Sequence, residues 1–169
     1  MFHPYVLPLI FGGSQERNRR GGTENPAAII GFAEAIKIAR VEMQNNFEFV
    51  SKLRKRLIEG IRQIDSTGIE INGIDNTFPY ILSITFKSQF YNNDAEAILM
   101  YMDINGIAVS NGAACTSGTL KPSHVILAME KPVEDANGTI RFSFGTQNTP
   151  EEIDYTLDVL QKMSKKFKK

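Results

Sequence analysis

A single apolar stripe with the period of an α-helix crosses residues 29–61 and restricts how this chain can fold. Asn25-Pro26 precedes the stripe, as an N-cap residue followed by proline at the first helical position. Apolar side chains then recur at three- and four-residue steps: Ile29, Phe32, Ile36, Ala39, Met43, Phe47, Val50, Leu53, Leu57 and Ile61. An unbroken helix over this span would be about 55 Å long, at 1.5 Å per residue. A one-domain chain has little room for such a rod, so we expect a bend or an end that packs on another domain.

The rest of the sequence alternates between strand and helix patterns. We expect strands over 69–74, 80–86, 107–110 and 138–145, and helices over 93–102, 122–130 and from 150 onward. Asn93, with Glu96 three residues later, is the predicted cap of the first of these helices, and Thr149 with Glu152 forms a predicted capping box. This order predicts an α+β domain whose small antiparallel or mixed sheet carries helices on one face.

Composition and charge argue against several classes of function. Lysine plus arginine and aspartate plus glutamate both number 19, so nothing indicates a nucleic-acid or membrane-surface binder. No apolar run approaches the roughly 18 residues that a membrane span requires. A single cysteine cannot form an internal disulfide, which favours a reducing, cytoplasmic location. His3, His124 and Cys115 have no metal-ligand spacing, so we expect no metal site.

Three residues are candidates for chemistry. Cys115, the only cysteine, lies in the small-residue segment SNGAACTSG (110–118); it is either a small buried side chain or a reactive thiol on a mobile loop. Arg141 stands inside a predicted strand; it either faces water or binds a carboxylate with its planar fork. Thr23 ends a glycine-rich loop before a helix, where hydroxyl and backbone N–H groups can hold phosphate. A hydrolytic dyad of Cys115 with His124 lacks a visible orienting group.

Three motifs, in this order, resemble one family. They are GGSQERNRRGGTEN (12–25), SNGAACTSGTLKPSHVILAM (110–129) and GTIRFSFG followed by NTPEEID (138–154). Together they are similar to the C-terminal portion of the cysteine desulfurases, the group that includes the NifS and IscS proteins. The resemblance covers nearly the whole chain.

The resemblance implies a fold, a cofactor and a reaction. Family members are homodimeric pyridoxal-phosphate enzymes with the aspartate aminotransferase fold (fold type I), and this chain would be their small C-terminal domain. They take sulfur from L-cysteine as a cysteine persulfide and release L-alanine, for iron–sulfur cluster or thio-cofactor synthesis. By similarity, Cys115 is the catalytic thiol that passes sulfur to an acceptor or scaffold protein. Arg141 is the substrate-carboxylate ligand, and Thr23 reaches the cofactor phosphate of the neighbouring subunit.

The resemblance also implies a division of labour within the chain. Residues 1–25 would be an interdomain or dimer-interface segment with the phosphate loop, and 26–169 the small domain with a mobile cysteine loop at 110–121. The family's cofactor lysine has no counterpart here, so we expect this chain alone to be inactive and to need a lysine-bearing N-terminal half. Two alternatives stay open: a fragment of another class V aminotransferase, or a non-catalytic module for dimerisation or acceptor docking.

Overall fold

The computed structural model describes residues 7–74, 77–111 and 121–169. The chain divides into two compact units, which meet in sequence between Met43 and Gln44. Within the described ranges, no helix has both the length and the apolar character needed to cross a bilayer. The boundary predicted after residue 25 stays a prediction.

The first unit contains a tight turn and the start of a long helix. The turn, α1 (Gln15–Asn18), places Glu16 and Arg17 in the left-handed region, with φ of 50° and 56°. Helix α2 (Pro26–Asp65) has 40 residues, and the side-chain oxygen of Asn25 accepts from the backbone N–H of Ala28, which confirms the predicted N-cap. Apolar residues of this unit are exposed: Leu7, Leu9, Ile10, Phe11, Ile29, Ile30, Phe32, Ile36, Ile38, Val41 and Met43.

The second unit is built on a three-stranded antiparallel sheet, in the order β1-β2-β3. The strands are β1 (Ile69–Asn72), β2 (Ile81–Phe86) and β3 (Thr139–Ser143). The register pairs Ile71 with Ile84 and Ile84 with Ile140, so these apolar side chains share one face. This arrangement confirms the predicted α+β class and the antiparallel form of the sheet.

Three helices supply the core against that apolar face. They are the second half of α2, α3 (Ala95–Ile104) and α6 (Pro150–Phe167). The predicted stripe of α2 is buried at Val50, Leu53, Leu57 and Ile61. At Gly60 the helix has no side chain, and a Cβ there would collide with the side chain of Leu157 in α6.

Two short helices were predicted incompletely. The segment 122–130 contains α4 (His124–Ala128), and it is followed by an unpredicted helix α5 (Val133–Asn137). Proline at position 132 and glycine at 138 frame α5, but the helix is too short to give a periodic signal.

Two other predictions were wrong. The cap of α3 is Asp94, whose carboxylate accepts from the N–H groups of Glu96 and Ala97, whereas Asn93 donates to the carbonyls of Phe86 and Glu134. Residues 107–110 form no strand, because only Ser110 bridges to the sheet. At α6 the predicted capping box is confirmed: Thr149 and Glu152 exchange their hydrogen bonds.

Candidate active site

The second face of the sheet is polar. Along each strand the side chains between the buried apolar positions point to this face, as the two-residue period of a strand requires. They are Glu70 and Asn72 of β1, Ser83 and Thr85 of β2, and Thr139, Arg141 and Ser143 of β3. The predicted carboxylate ligand Arg141 therefore stands on the face opposite the core, and its side chain is exposed.

Both backbone polar groups of Arg141 are hydrogen-bonded to Ser110. Its N–H donates to the Ser110 carbonyl at 2.7 Å, and its carbonyl accepts from the Ser110 N–H at 3.1 Å. Because both backbone groups point to Ser110, the pair of Arg141 with Ser83 on the other side has no backbone hydrogen bonds. Such a pair brings the two Cα atoms to about 4.5 Å, closer than a hydrogen-bonded pair does.

Several polar side chains hold the sheet from this face. Asn72 Nδ2 donates to Ser83 Oγ at 2.9 Å and to Thr85 Oγ1 at 2.8 Å. The hydroxyls of Thr85 and Thr139 lie 2.7 Å apart, and both residues are buried. At the edge, Lys131 pairs with Glu70 at 2.7 Å and ties the segment between α4 and α5 to β1.

The predicted thiol Cys115 lies outside the described residues. The chain that leads toward it is described as far as Asn111, which is 2% exposed and whose Oδ1 has no hydrogen-bond partner among the described residues. Ser110, bonded to Arg141, stands five positions before Cys115 in sequence. Five residues of extended chain span at most about 17 Å.

The predicted phosphate loop belongs to the first unit. Gly21 N–H donates to the Ile10 carbonyl at 2.8 Å, and a Cβ on Gly21 would lie 2.6 Å from Gly12 N, so the two ends of the loop touch. Gly22 has a φ of +92°, a conformation that favours glycine, and it precedes an exposed Thr23. No hydrogen bond engages the Thr23 hydroxyl within the described ranges, and this group suits a phosphate oxygen.

The structure brings the base of the cysteine segment beside Arg141, which sequence reasoning did not foresee. Sequence reasoning also missed Ser83 and Asn72 as neighbours of Arg141. The alternation of polar residues in ILSITF and TIRFS was a signal for the polar face, but only the register shows which residues lie opposite one another. In the described part of the chain, no three His, Cys, Asp or Glu side chains converge as metal ligands would.

Comparisons with known proteins show the family to which this chain belongs. A family model described as aminotransferase class V matches residues 11–156. The chain belongs to the class V aminotransferase family. Within it, the cysteine desulfurase IscS of Dictyoglomus turgidum is 41% identical over 164 residues, which cover 96% of this chain and 40% of the relative. The cysteine desulfurase NifS of Azotobacter vinelandii is 44% identical over 147 residues, covering 87% of this chain and 36% of the relative.

Solved structures of this family share the fold. The NifS-like protein of Rickettsia africae superposes with a TM-score of 0.72 at 28% identity, covering 94% of this chain and 40% of that protein. This class V aminotransferase chain thus spans about 40% of the length of the first curated relatives that it matches. The predicted resemblance to the C-terminal portion of NifS- and IscS-type desulfurases is confirmed.

Proposed function

We propose that this chain is part of a pyridoxal-phosphate-dependent cysteine desulfurase. In this proposal Arg141 binds the carboxylate of L-cysteine, Cys115 accepts its sulfur as a persulfide, and L-alanine is released. Relatives named cysteine desulfurase, at 41% and 44% identity, support the reaction. The observation that carries the proposal is the pair of backbone hydrogen bonds between Arg141 and Ser110, because it joins the carboxylate ligand to the chain that leads to the thiol.

The chemistry assigns a distinct task to each residue. The Arg141 guanidinium can hold a carboxylate through two parallel N–H···O bonds, which fixes the substrate's orientation. The Cys115 thiolate attacks the substrate sulfur, so that a sulfur–sulfur bond forms and the carbon–sulfur bond breaks. The carbon then takes the electron pair and a proton, which gives L-alanine. Pyridoxal phosphate, when bound, supplies the electron sink that lets this bond break.

Thr23 would contact the cofactor phosphate. Its exposed hydroxyl, which follows the left-handed Gly22, has the right chemistry for a phosphate oxygen, so the residues present fit this part of the cofactor. In this proposal the rest of the cofactor site, including the lysine, comes from a lysine-bearing N-terminal portion or partner chain. The enzyme is a cytoplasmic homodimer, and the sulfur goes to an acceptor or scaffold protein for iron–sulfur cluster or thio-cofactor synthesis.

Mass spectrometry after reaction with L-cysteine tests this function. The chain is co-expressed with a lysine-bearing N-terminal portion, supplied with pyridoxal phosphate and L-cysteine, and analysed intact. We expect one added sulfur, about 32 Da, on Cys115 as the first persulfide step. The adduct should be absent from Cys115→Ala, and from samples without cofactor.

Two results would contradict the proposal in different ways. If the portions assemble and bind cofactor while Cys115 stays unmodified, the sulfur-accepting role fails and another class V aminotransferase reaction takes its place. If no cofactor binds to the assembled portions, the chain is a dimerisation or docking module. Arg141→Lys, which keeps the charge but loses the fork, should form the adduct only at higher L-cysteine concentrations.

A further inference from the structure

A row of four polar residues crosses the sheet through Arg141. The register places Asn72 opposite Ser83, and Ser83 opposite Arg141, while Ser110 bridges to Arg141 on its other side. Residues that lie directly opposite one another in antiparallel strands carry their side chains on the same face. The Arg141 side chain therefore leaves the sheet between the side chains of Ser83 and Ser110.

A chain of side-chain hydrogen bonds joins Asn72 of this row to Thr85 and Thr139. Thr139 Oγ1 donates to the Asp135 carbonyl at 3.0 Å, so it accepts from the hydroxyl of Thr85, 2.7 Å away. Thr85 Oγ1 in turn accepts one proton of Asn72 Nδ2 at 2.8 Å, and it also lies 3.2 Å from Asn72 Oδ1, a second acceptor for its own proton. The second proton of the Asn72 amide donates to Ser83 Oγ at 2.9 Å. Because an amide nitrogen only donates, Ser83 Oγ is the acceptor in this bond, whichever way the Thr85 proton points.

The bond from Asn72 leaves the hydroxyl proton of Ser83 unused, beside Arg141. Ser83 Oγ accepts from Asn72 and keeps its own proton, and among the described residues no acceptor takes that proton. The side chain of Ser83 is partly exposed, so a ligand on the polar face can reach it. Because Ser83 and Arg141 form a pair without backbone hydrogen bonds, their side chains are close neighbours.

We propose that Ser83 is a second ligand of the carboxylate that Arg141 binds, and donates its hydroxyl proton to one of the carboxylate oxygens. This inference rests on the proposed function, because it concerns the same substrate group. A carboxylate offers about four lone-pair sites, and a bidentate arginine occupies two of them. A hydroxyl donor beside the fork fills a third site. Asn72 is the positioning residue, since its amide sets which way the Ser83 hydroxyl points.

Nuclear magnetic resonance of the ¹⁵N-labelled 169-residue chain tests the proposal directly. The probe is propionate, titrated while the Arg141 Nε–Hε signal is followed; the signal is assigned by its loss in Arg141→Lys. We expect Ser83→Ala to weaken propionate binding about tenfold, as for the loss of one hydrogen bond to a charged group. Ser83→Thr, which keeps a hydroxyl, should bind within about twofold of the unmodified chain.

Two controls separate a ligand from a structural effect. Ser143→Ala removes a hydroxyl from the same face, but Ser143 lies opposite Ile81 and not opposite Arg141. The Ser143→Ala variant should therefore bind propionate as tightly as the unmodified chain. Propionamide has nearly the shape of propionate without its charge and should not shift the Arg141 signal. Ser83→Ala is compared only after its spectrum shows the same sheet resonances as the unmodified chain, and Ser83→Thr gives the answer if it does not.

The outcomes distinguish this inference from the proposed function. If Ser83→Ala binds propionate as tightly as Ser143→Ala does, the inference is overturned and Arg141 alone is the carboxylate ligand. If propionate does not shift the Arg141 signal of the unmodified chain, the carboxylate site itself fails, and the inference fails with it. If binding depends on Ser83 while Cys115 gains no sulfur from L-cysteine, the inference stands and the desulfurase function does not.

Discussion

The carboxylate of Asp65, at the end of α2, is a sensitive point of the second unit. Its Oδ1 accepts from Gly68 N–H at 2.7 Å and Thr67 N–H at 3.1 Å, which closes the turn into β1. Its Oδ2 accepts from the Tyr91 hydroxyl at 2.7 Å, and Lys168 approaches at 3.4 Å. Tyr91 is 1% exposed and the Asp65 side chain 15%, so water can hardly replace these partners.

Removing either partner should lower the free energy of unfolding by a measurable amount. Tyr91→Phe keeps the buried ring and loses one hydrogen bond to a charged group, which costs about 2 kcal/mol. Asp65→Ala loses that bond and also leaves the Gly68 N–H without its acceptor, which costs about 3 kcal/mol. Since both variants break the same bond, the double variant should be less destabilised than the sum, by about 1.5 kcal/mol.

Urea unfolding followed by circular dichroism measures the free energy of unfolding of the unmodified chain, the two single variants and the double variant. Asp65→Asn, which keeps the shape and loses the charge, should fall between the unmodified chain and Asp65→Ala. A coupling energy below about 0.5 kcal/mol between Asp65 and Tyr91 would refute the reasoning, because it would place their hydrogen bond among exposed, weakly contributing pairs.

The contribution of the Asp65–Tyr91 hydrogen bond to stability should depend on pH. Burial, followed by the hydrogen bond to Asp65, raises the pKa of Tyr91 above its usual value. Its contribution to stability is therefore complete below about pH 10 and is lost as the pH rises through the folded pKa. Burial acts to raise the pKa of Asp65, but the hydrogen bonds from Tyr91, Gly68, Lys168 and Thr67 outweigh it and lower this pKa. Its contribution is complete above about pH 4 and is lost on further acidification, and Tyr91→Phe should remove the alkaline dependence.

Two further predictions concern local packing and capping, and urea unfolding checks both. Gly138→Ala should lower the free energy of unfolding by about 1–3 kcal/mol, because the new Cβ meets the side-chain amide of Asn93, which donates to two carbonyls. In a chain that also carries Asn93→Ala, most of this loss should disappear. An equal loss with and without Asn93→Ala would contradict the contact. Gly31→Ala is the matched control that should not destabilise, because among the described residues nothing beyond the local backbone of α2 lies within 4 Å of the new Cβ. Thr149→Ala should cost about 1 kcal/mol by removing half of the capping box of α6, whereas Thr149→Ser should cost only a few tenths; similar losses in the two variants would argue against the cap.

Local sequence patterns predicted much of the secondary structure correctly. The three- and four-residue repeat identified α2, and proline next to a capping side chain identified the starts of α2 and α6. Such signals depend on neighbours within one or two turns, so the sequence contains them in full. They failed where two neighbouring residues could both cap a helix, as Asn93 and Asp94 could for α3. The side chain of Asn93 donates to one carbonyl in β2 and one in α5, so Asp94 caps the helix instead.

The segment 107–110 shows a second limit. Its alternation of apolar residues is typical of a strand, but a strand also requires a partner along its length. Ser110 alone meets Arg141, so a single bridge replaces the expected strand. This bridge nevertheless places Ser110, five positions before Cys115 in the sequence, beside Arg141.

By itself, the sequence determined the class of the fold and the starts of α2 and α6, and it suggested Cys115, Arg141 and Thr23 as candidate site residues. The tertiary structure alone decided which polar residues stand together, because strand register joins positions far apart in the chain. Asn72, Ser83, Ser110 and Arg141 share one row only after β1, β2, β3 and the bridge have formed. The hydrogen bond from Asn72 to Ser83, which leaves the Ser83 proton without an acceptor among the described residues, depends on contacts that no local pattern encodes.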